Sequence, residues 1–230
     1  MRRRLDCRVR FPVKKARAVQ AIIARKVVER DDFPTPLRRV AGVDVTYIGD
    51  VAIAAAVVVD ATSFIIVDTA VVLRKALIPY IPTLLAFREA GPAAAALKAL
   101  KVSFDLLFVD GNGRLHPYRA GFACHLGVML NKPTIGVAKK LLCGRIGEWR
   151  GTRAPVYLDG EVVGVALKTL PRAKPIYVSV GHRVSLESAV KLTLWFTRGR
   201  RKLPLPLAIA HNETRKSARS IIAGDSIPHS

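Results

Sequence analysis

The sequence is poor in amide side chains and has no long apolar run. Gln20 is the only glutamine and asparagine is scarce among the 230 residues, which is typical of heat-adapted proteins. No apolar run reaches the roughly 18 residues that span a bilayer. The longest candidate, residues 51–59, lies between Asp50 and Asp60, and the basic start of the chain lacks the apolar core of a signal peptide. We therefore expect a soluble cytoplasmic protein without a membrane partner.

Cysteine pairs and a complete dinucleotide motif are also missing. Cys7, Cys124 and Cys143 are odd in number, far apart and without a Cys-x-x-Cys pair, so neither a disulfide framework nor a zinc site is predicted. The glycines of Gly111-x-Gly113 do not complete a dinucleotide fingerprint, because His116 stands in place of the third glycine. Those glycines instead predict a close approach of the backbone to a ligand.

Negative charge is in short supply. The chain has 38 Lys and Arg against 17 Asp and Glu, which gives a formal net charge of +21. So basic a protein attracts phosphate backbones. A solvated basic surface in a heat-adapted protein is the alternative, but heat adaptation explains the lack of amides and not the excess of positive charge. Nucleic acid is therefore the partner we expect.

The hydrophobic pattern predicts an α/β protein with a mixed sheet. Apolar periodicity and turn signals place strands at 39–48, 51–59, 64–73, 105–109, 133–138 and 175–180, a hairpin at 156–167, and helices at 14–28, 83–90, 92–101, 119–130 and 185–195. We expect Gly91-Pro92 to break or kink the helix that starts at residue 83. This order predicts a five-stranded central sheet flanked by helices, with an extra β-hairpin. Residues 1–230 are expected to form a single domain whose ends, about 1–13 and 216–230, are flexible.

Three acids lie in apolar surroundings. Asp44 is inside the first strand, Asp110 ends the fourth, and Glu89 lies on the helix between them. Burial of such carboxylates without a counter-charge costs several kcal/mol each, and a divalent cation would remove that cost. Taken singly, Asp44 also fits a buried structural acid, and Glu89 fits an exposed helix residue paired with Arg88 or Lys98. If the first and fourth strands are parallel neighbours, the three acids converge and predict a metal site that hydrolyses phosphodiesters.

Two histidines are candidates for the same site. His211 is a possible further metal ligand or proton donor, although a surface helix histidine fits the sequence equally well. His116, just before Pro117, is a candidate for binding a phosphate or orienting a water at the metal.

Several long motifs, in one order along the chain, resemble the endonuclease V family of inosine-directed nucleases. They include Pro79-Tyr80-Ile81-Pro82 and Gly136-Val137-Ala138-Lys139-Lys140. The matching stretches are residues 40–47, 79–82, 87–89, 109–117, 133–144, 179–187 and 203–206. The resemblance covers roughly residues 15–215, and such a set of ordered motifs is far more specific than one short pattern.

The resemblance implies a ribonuclease H-like fold and a catalytic set. In the family, acids at the positions of Asp44, Glu89 and Asp110 bind Mg²⁺, for which Mn²⁺ can substitute. The resemblance assigns catalysis to Asp44, Asp110, Lys139 and His211, with Lys139 near the scissile phosphate. His116, Lys139 and Lys140 are the expected phosphate-binding residues.

The resemblance also implies how a damaged base is reached. Residues 79–82, Pro79, Tyr80, Ile81 and Pro82, would act as a wedge that holds the strands apart while the hypoxanthine base turns into a pocket. The pocket would be built from backbone around Leu85, Gly111, Gly113, Gly121 and Phe122. Everting a weakly paired base costs a few kcal/mol. Stacking of an inserted Tyr80 in the vacated space would offset part of that cost.

The expected reaction is DNA repair. The family cuts the second phosphodiester bond 3′ to deoxyinosine, the product of adenine deamination, and leaves 3′-hydroxyl and 5′-phosphate ends. An endoribonuclease specific for inosine in RNA and a nucleic-acid-binding module without catalysis are the alternatives. The protein is expected to act as a monomer, and the sequence does not indicate which repair proteins follow it.

Three residues depart from the family pattern. Thr83 stands where the family usually has glycine directly after the wedge, Asn112 replaces a frequent histidine, and Tyr118 replaces a frequent arginine. These departures bear on which bases are recognised and leave the metal chemistry intact.

Overall fold

The computed structural model describes residues 11–223. The helices are α1 (Val13–Lys26), α2 (Leu85–Ala99), α3 (Phe122–Leu130), α4 (Leu186–Thr197) and α5 (Leu205–Ala223). The strands are β1 (Arg39–Ile48), β2 (Val51–Asp60), β3 (Ile66–Lys75), β4 (Leu106–Asp110), β5 (Thr134–Ala138), β6 (Arg145–Ile146), β7 (Arg153–Leu158), β8 (Glu161–Leu167) and β9 (Ile176–His182).

All of these strands belong to one mixed sheet in the order β3-β2-β1-β4-β5-β9-β8-β7-β6. The first three form an antiparallel meander, and β1, β4 and β5 run parallel to one another. The predicted α/β class with a mixed sheet is confirmed. The predicted count of five strands plus a separate hairpin is too low, because β9 pairs with both β5 and β8 and so joins the hairpin β7–β8 to the sheet.

Helices cover both faces of the sheet, because the buried residues of its strands alternate between two apolar cores. Val40, Val57 and Phe108 point toward α4 and α5, where they pack with Phe196 and Leu207. Their immediate neighbours in the chain point the other way and pack against α2 and α3. Strands buried on both faces read as continuous apolar runs, which is the pattern of β2 and β4.

Helix α2 passes through Gly91-Pro92 without the predicted break. A proline inside a helix leaves the carbonyl four residues earlier without its N–H partner. That carbonyl belongs to Arg88, and the Tyr47 hydroxyl donates a 3.4 Å hydrogen bond to it from β1. A tertiary contact that local sequence rules do not see thus compensates for Pro92 within one continuous helix.

The ends of the chain that were predicted to be flexible lie largely outside the described residues. Residues 1–10 and 224–230, with Cys7 and the basic cluster Arg2-Arg3-Arg4, lie outside the described part. Val13 already belongs to α1, and 216–223 form the end of α5. None of the helices within residues 11–223 is both long enough and apolar enough to cross a membrane.

Candidate active site

Parallel pairing brings the two aspartates to one end of the sheet. Val43 of β1 pairs with Val109 of β4, so the next residues, Asp44 and Asp110, lie side by side on adjacent strands. On the other side of β4, Asp110 pairs with Val137 of β5, which ends just before Lys139. Strand topology alone therefore places two acids and a lysine together.

Helix α5 completes the cluster from the face of the sheet. It begins directly over Gly42 of β1, where an added Cβ would lie 2.3 Å from the Pro206 carbonyl carbon and 2.5 Å from the Leu207 nitrogen. Only glycine permits so close an approach. From that contact α5 runs along β1 and carries His211 and Thr214 to Asp44.

The polar atoms of the cluster are joined by short contacts. Asp44 Oδ2 accepts a 2.6 Å hydrogen bond from Thr214 Oγ1 and lies 3.1 Å from His211 Nδ1. Lys139 Nζ lies 2.5 Å from Asp110 Oδ2 and 3.3 Å from His211 Nδ1. One potential ligand atom from each of Asp44, Asp110 and His211 falls within 4.8 Å of the others.

The two aspartates differ in acidity. Burial alone would raise the pKa of Asp44, but hydrogen bonds involving His211, Asp110 and Thr214 hold it at about 2. Burial and the charge of Asp44 raise the pKa of Asp110 to about 6, although the Lys139 ammonium opposes the shift. Asp44 is therefore the first of the pair to ionise.

Glu89 is a buried acid on α2. Its residue is 7% exposed, and it forms no ion pair with any of residues 11–223, so the alternative of an exposed helix residue paired with Arg88 or Lys98 does not hold. Burial, then the charges of Asp44 and Asp110, raise the pKa of Glu89 to about 8. The charges of both aspartates thus affect Glu89, although Glu89 is not among the three residues whose ligand atoms lie within 4.8 Å of one another.

This donor set fits a hard divalent cation. Carboxylate oxygens are the ligands that Mg²⁺ and Mn²⁺ prefer. Burial and, after it, repulsion among the carboxylates raise the pKa values of Glu89 and Asp110, and a bound cation would favour the ionised form of both. Lys139 Nζ places a positive charge 2.5 Å from Asp110 Oδ2.

A small cavity of about 80 Å³ is lined in part by Asn112, two residues after Asp110. Its lining includes the exposed Tyr80 of the wedge and three residues of the expected base pocket, Leu85, Gly121 and Phe122. Gly111 and Gly113 do not line it. An added Cβ at Gly113 would lie 2.0 Å from the Val180 carbonyl oxygen, so the close approach at this glycine is to β9 and not to an open cavity.

His116 belongs to this cavity and not to an exposed phosphate surface. The residue is 4% exposed, its Nδ1 accepts from the Tyr118 N–H at 3.2 Å, and its Nε2 lies 3.1 Å from the Thr83 carbonyl oxygen. Burial lowers the pKa of His116 to about 4, so the ring is neutral at pH 7 and Nε2 carries the proton. Lys140, by contrast, is exposed next to Lys139.

A family model for endonuclease V matches residues 21–212 of the sequence. The chain belongs to the endonuclease V family. An endonuclease V of Thermofilum pendens is 56% identical over 201 residues, which cover 87% of both chains. The predicted resemblance is thereby confirmed, and members of the family are nucleases.

Solved structures of the endonuclease V family share the fold. The crystal structure of endonuclease V from Streptomyces avermitilis superposes with a TM-score of 0.84 at 40% identity and covers 91% of this chain and 94% of its own. Endonuclease V of Ciona intestinalis, in complex with a 24mer DNA containing an inosine followed by a ribo-adenosine, has a TM-score of 0.81 at 30% identity, with 91% and 98% covered.

Sequence reasoning missed Thr214 and the helix that carries it. Leu207, Ala210 and Thr214 recur at helical spacing and are all buried, which is a signal that the sequence does contain. It also missed Arg17 and Gln20 of α1, whose side chains reach Thr83. Nothing in the local pattern of α1 indicates that contact, because it joins residues more than sixty positions apart.

Proposed function

We propose that this chain is an endonuclease that recognises deoxyinosine in DNA and hydrolyses the second phosphodiester bond 3′ to it. The observation that carries the proposal is the convergence of Asp44, Asp110 and His211 beside the buried Glu89. The inosine-containing DNA bound by the Ciona intestinalis relative supports the choice of substrate. The proposed products carry a 3′-hydroxyl and a 5′-phosphate.

Asp44, Glu89 and Asp110 are the proposed ligands of Mg²⁺, with Mn²⁺ as a substitute. When bound, divalent ions stabilise the negative charge of the phosphate and make water a better nucleophile. Thr214 orients Asp44 through its 2.6 Å hydrogen bond, and such partners of ligands are a general requirement of metal sites.

His211 and Lys139 are the proposed proton-handling and charge-stabilising groups. Because Asp44 is the first acid to ionise, it takes the hydrogen bond from His211 Nδ1–H, and the Lys139 ammonium donates to Asp110. His211 Nε2 then has no partner among the described residues. It is available to accept a proton from the attacking water or to give one to the departing 3′-oxygen. Lys139, which lies next to Asp110, is proposed to stabilise charge on the phosphate.

Basic residues on α5 extend the site and support binding of a strand. Arg215, Lys216 and Arg219 are exposed and share a concave surface of about 400 Å³ with His211 and Asn212. None of the three forms an ion pair within residues 11–223. With Lys139 and Lys140 they provide positive charge near the acids, which suits a phosphate backbone that crosses the cluster.

The cavity beside the wedge is the proposed site for the everted base. The first helical turns of α2 and α3 both border it, and neither helix has a side-chain cap. The N–H groups of Phe87 and Ala123 donate to backbone carbonyls, and the other first-turn N–H groups are the proposed donors to an acceptor such as the hypoxanthine oxygen. Leu85, Gly121 and Phe122 supply this lining, whereas Gly111 and Gly113 are proposed to hold the loop in place. At about 80 Å³ the cavity is far below the roughly 300–1,000 Å³ of typical ligand clefts, so its rim must move to admit a base.

We further propose that the enzyme is a single domain that acts as a monomer, because one chain supplies every member of the cluster. Inosine in RNA is the second candidate substrate. In the complex of the Ciona intestinalis relative, the inosine of the DNA is followed by a ribo-adenosine, and this observation supports RNA as the second candidate.

The test is a nicking assay on end-labelled duplexes with one deoxyinosine, with Mg²⁺, Mn²⁺ or a chelator. Wild type should nick only the inosine strand, only with metal, and at the second bond on the 3′ side. Asp110→Asn should bind the duplex with little change and leave it intact. Binding without any nick by the wild type would instead indicate a module without catalysis. Stronger cleavage of the matched RNA oligonucleotide would make RNA the substrate.

A further inference from the structure

Thr83, the residue directly after the wedge, is held in an unusual backbone conformation. Its φ is +67°, in the left-handed region that β-branched residues rarely adopt. Its carbonyl oxygen accepts from Gln20 Nε2 at 2.7 Å, from Arg17 Nη1 at 3.4 Å and from His116 Nε2 at 3.1 Å. Strained backbone that is so heavily bonded is typical of functional sites.

Arg17 ties this residue to a second position at which the chain departs from its family. Arg17 Nη2 donates to Thr83 Oγ1 at 2.7 Å, and the guanidinium carbon lies 4.0 Å from the centre of the Tyr118 ring. Thr83 Oγ1 in turn donates to the carbonyl of Pro82, the last wedge residue, at 2.5 Å. Thr83 and Tyr118, two departures from the family pattern, are therefore joined through one arginine.

Gln20 completes the arrangement from inside α1. Gln20 is fully buried. Its Oε1 accepts a 2.8 Å hydrogen bond from Arg17 Nη1, and its Nε2 donates a 2.7 Å hydrogen bond to the Thr83 carbonyl oxygen. Both polar atoms of the buried amide are thus bonded, one to Arg17 within α1 and one to the carbonyl of Thr83. Gln20 and Thr83 also border the base cavity together with Tyr80, which is 64% exposed.

We propose that Arg17, Gln20 and Tyr118 are positioning residues, a clamp that fixes Thr83 and thereby holds the wedge ready to enter a base-paired duplex. The inference rests on the proposed function and names duplex DNA as the substrate form that the clamp serves. A wedge that is already ordered loses little conformational entropy when it inserts. In a single strand there is no pair to open, so a fixed wedge brings little advantage.

The experiment compares cleavage of deoxyinosine in duplex and in single-stranded oligonucleotides, as kcat and KM for each. Arg17→Ala should lower duplex cleavage about tenfold or more, while single-strand cleavage changes less than about threefold. Arg17→Lys keeps the charge but not the forked geometry that reaches Thr83 and Gln20 together, so it should resemble Arg17→Ala. Arg25→Ala, on the same helix and exposed, removes the same charge and should leave both substrates unchanged.

Two further variants separate a clamp from general support of the fold. Tyr80→Ala, which removes the wedge tip, sets the scale for a full loss of duplex preference. Thr83→Gly relieves the left-handed strain and removes the hydroxyl, so it should also lower the ratio of duplex to single-strand cleavage. Adding Arg17→Ala to Thr83→Gly should then change the ratio by less than twofold, because residues that act as one unit are not additive.

The possible failures are distinguishable. If wild type cuts neither inosine substrate, the proposed function is wrong. If wild type cuts both and Arg17→Ala loses both equally, or loses neither, the nuclease assignment stands and the clamp is refuted. Fluorescence of 2-aminopurine beside the inosine gives an independent readout, since the increase on unstacking should be smaller with Arg17→Ala than with Arg25→Ala.

Discussion

Thr214 donates a 2.6 Å hydrogen bond to the Asp44 oxygen that also lies 3.1 Å from His211 Nδ1. One carboxylate oxygen on β1 therefore receives two groups from α5, one helical turn apart. The second oxygen of Asp44 takes part in neither contact and is the proposed ligand atom. This arrangement fixes the direction of the carboxylate before any metal binds.

Thr214→Val should preserve the shape of the fully buried side chain and remove only the hydroxyl. Loss of a partner that orients a metal ligand typically costs about 10–100-fold in metal affinity or activity. We expect a shift of that size in the Mg²⁺ concentration that gives half-maximal nicking, with a small change in thermal stability. Thr214→Ser, which keeps the hydroxyl, should behave nearly as wild type. An unchanged Mg²⁺ requirement in Thr214→Val would contradict the role.

Gly42→Ala should separate α5 from β1. The new methyl group would lie 2.3 Å and 2.5 Å from backbone atoms of Pro206 and Leu207, which cannot rotate away as a flexible side chain would. Such overpacking typically costs about 1–3 kcal/mol. Because α5 carries His211 and Thr214, cleavage should fall by more than the loss of folded protein explains.

Gly91→Ala is the matched control for Gly42→Ala. Gly91 lies inside α2 and a Cβ there would meet no atom within 4 Å. Alanine is favoured over glycine in a helix interior by roughly 0.5–1 kcal/mol, so this variant should be as stable as wild type or more so. Thermal unfolding of both variants, with nicking rates below the transition, checks the pair.

The acids were predictable because each interrupts an apolar run, and strand order then brings Asp44 and Asp110 together. The partners of those acids were not predictable in the same way. His211 and Thr214 reach Asp44 through a helix that has one proline directly before it, Pro204, and another in its first turn, Pro206. The need for glycine at position 42 is evident only from the packing of α5 on β1. The continuity of α2 likewise depends on a hydroxyl from β1. Local sequence patterns indicate burial and periodicity, but contacts between distant elements can be identified only in the folded structure.

The metal-free protein should lose stability as pH rises through the titration of Glu89. The pKa of Glu89 is raised from 4.5 to about 8 in the folded chain, so the fold favours the neutral acid. That favourable contribution is complete below pH 4.5 and is lost as pH rises toward 8. Asp110, raised to about 6, adds to the trend between about pH 4 and 6. Asp44, lowered to about 2, contributes the opposite slope only at lower pH.

Thermal unfolding with a chelator at pH 5.5 and pH 8 checks this trend. The increase in Tm caused by Mg²⁺ should be larger at pH 8, where the cation no longer competes with protons. Glu89→Gln should unfold at a higher temperature than wild type at pH 8 without metal, show a smaller increase with Mg²⁺, and not nick DNA. Comparison of the variant with wild type cancels the titration of other groups. A lower Tm for Glu89→Gln at pH 8 without metal would contradict the burial of an ionised Glu89.

The exposed cations of α5 should determine part of the salt dependence of DNA binding. Each phosphate contact contributes roughly 0.9 to the slope of log K against log salt concentration. Replacement of both Arg215 and Arg219 by alanine should therefore lower the slope by up to about 2 and weaken binding similarly for inosine-containing and undamaged duplexes. Measurements in the Asp110→Asn background keep the DNA intact during the titration.

The control removes two cations from the far end of α2, a helix on the other face of the sheet. Lys98 and Lys101 are exposed near the end of α2, which begins at the base cavity and runs away from it for about 22 Å at 1.5 Å per residue. Alanine at both positions lowers the net charge by the same amount but removes no charge near the cluster. If this control reduces the salt slope as much as the α5 pair, then net charge and not the α5 surface governs binding. If the α5 pair changes the slope and the control does not, the strand passes over α5.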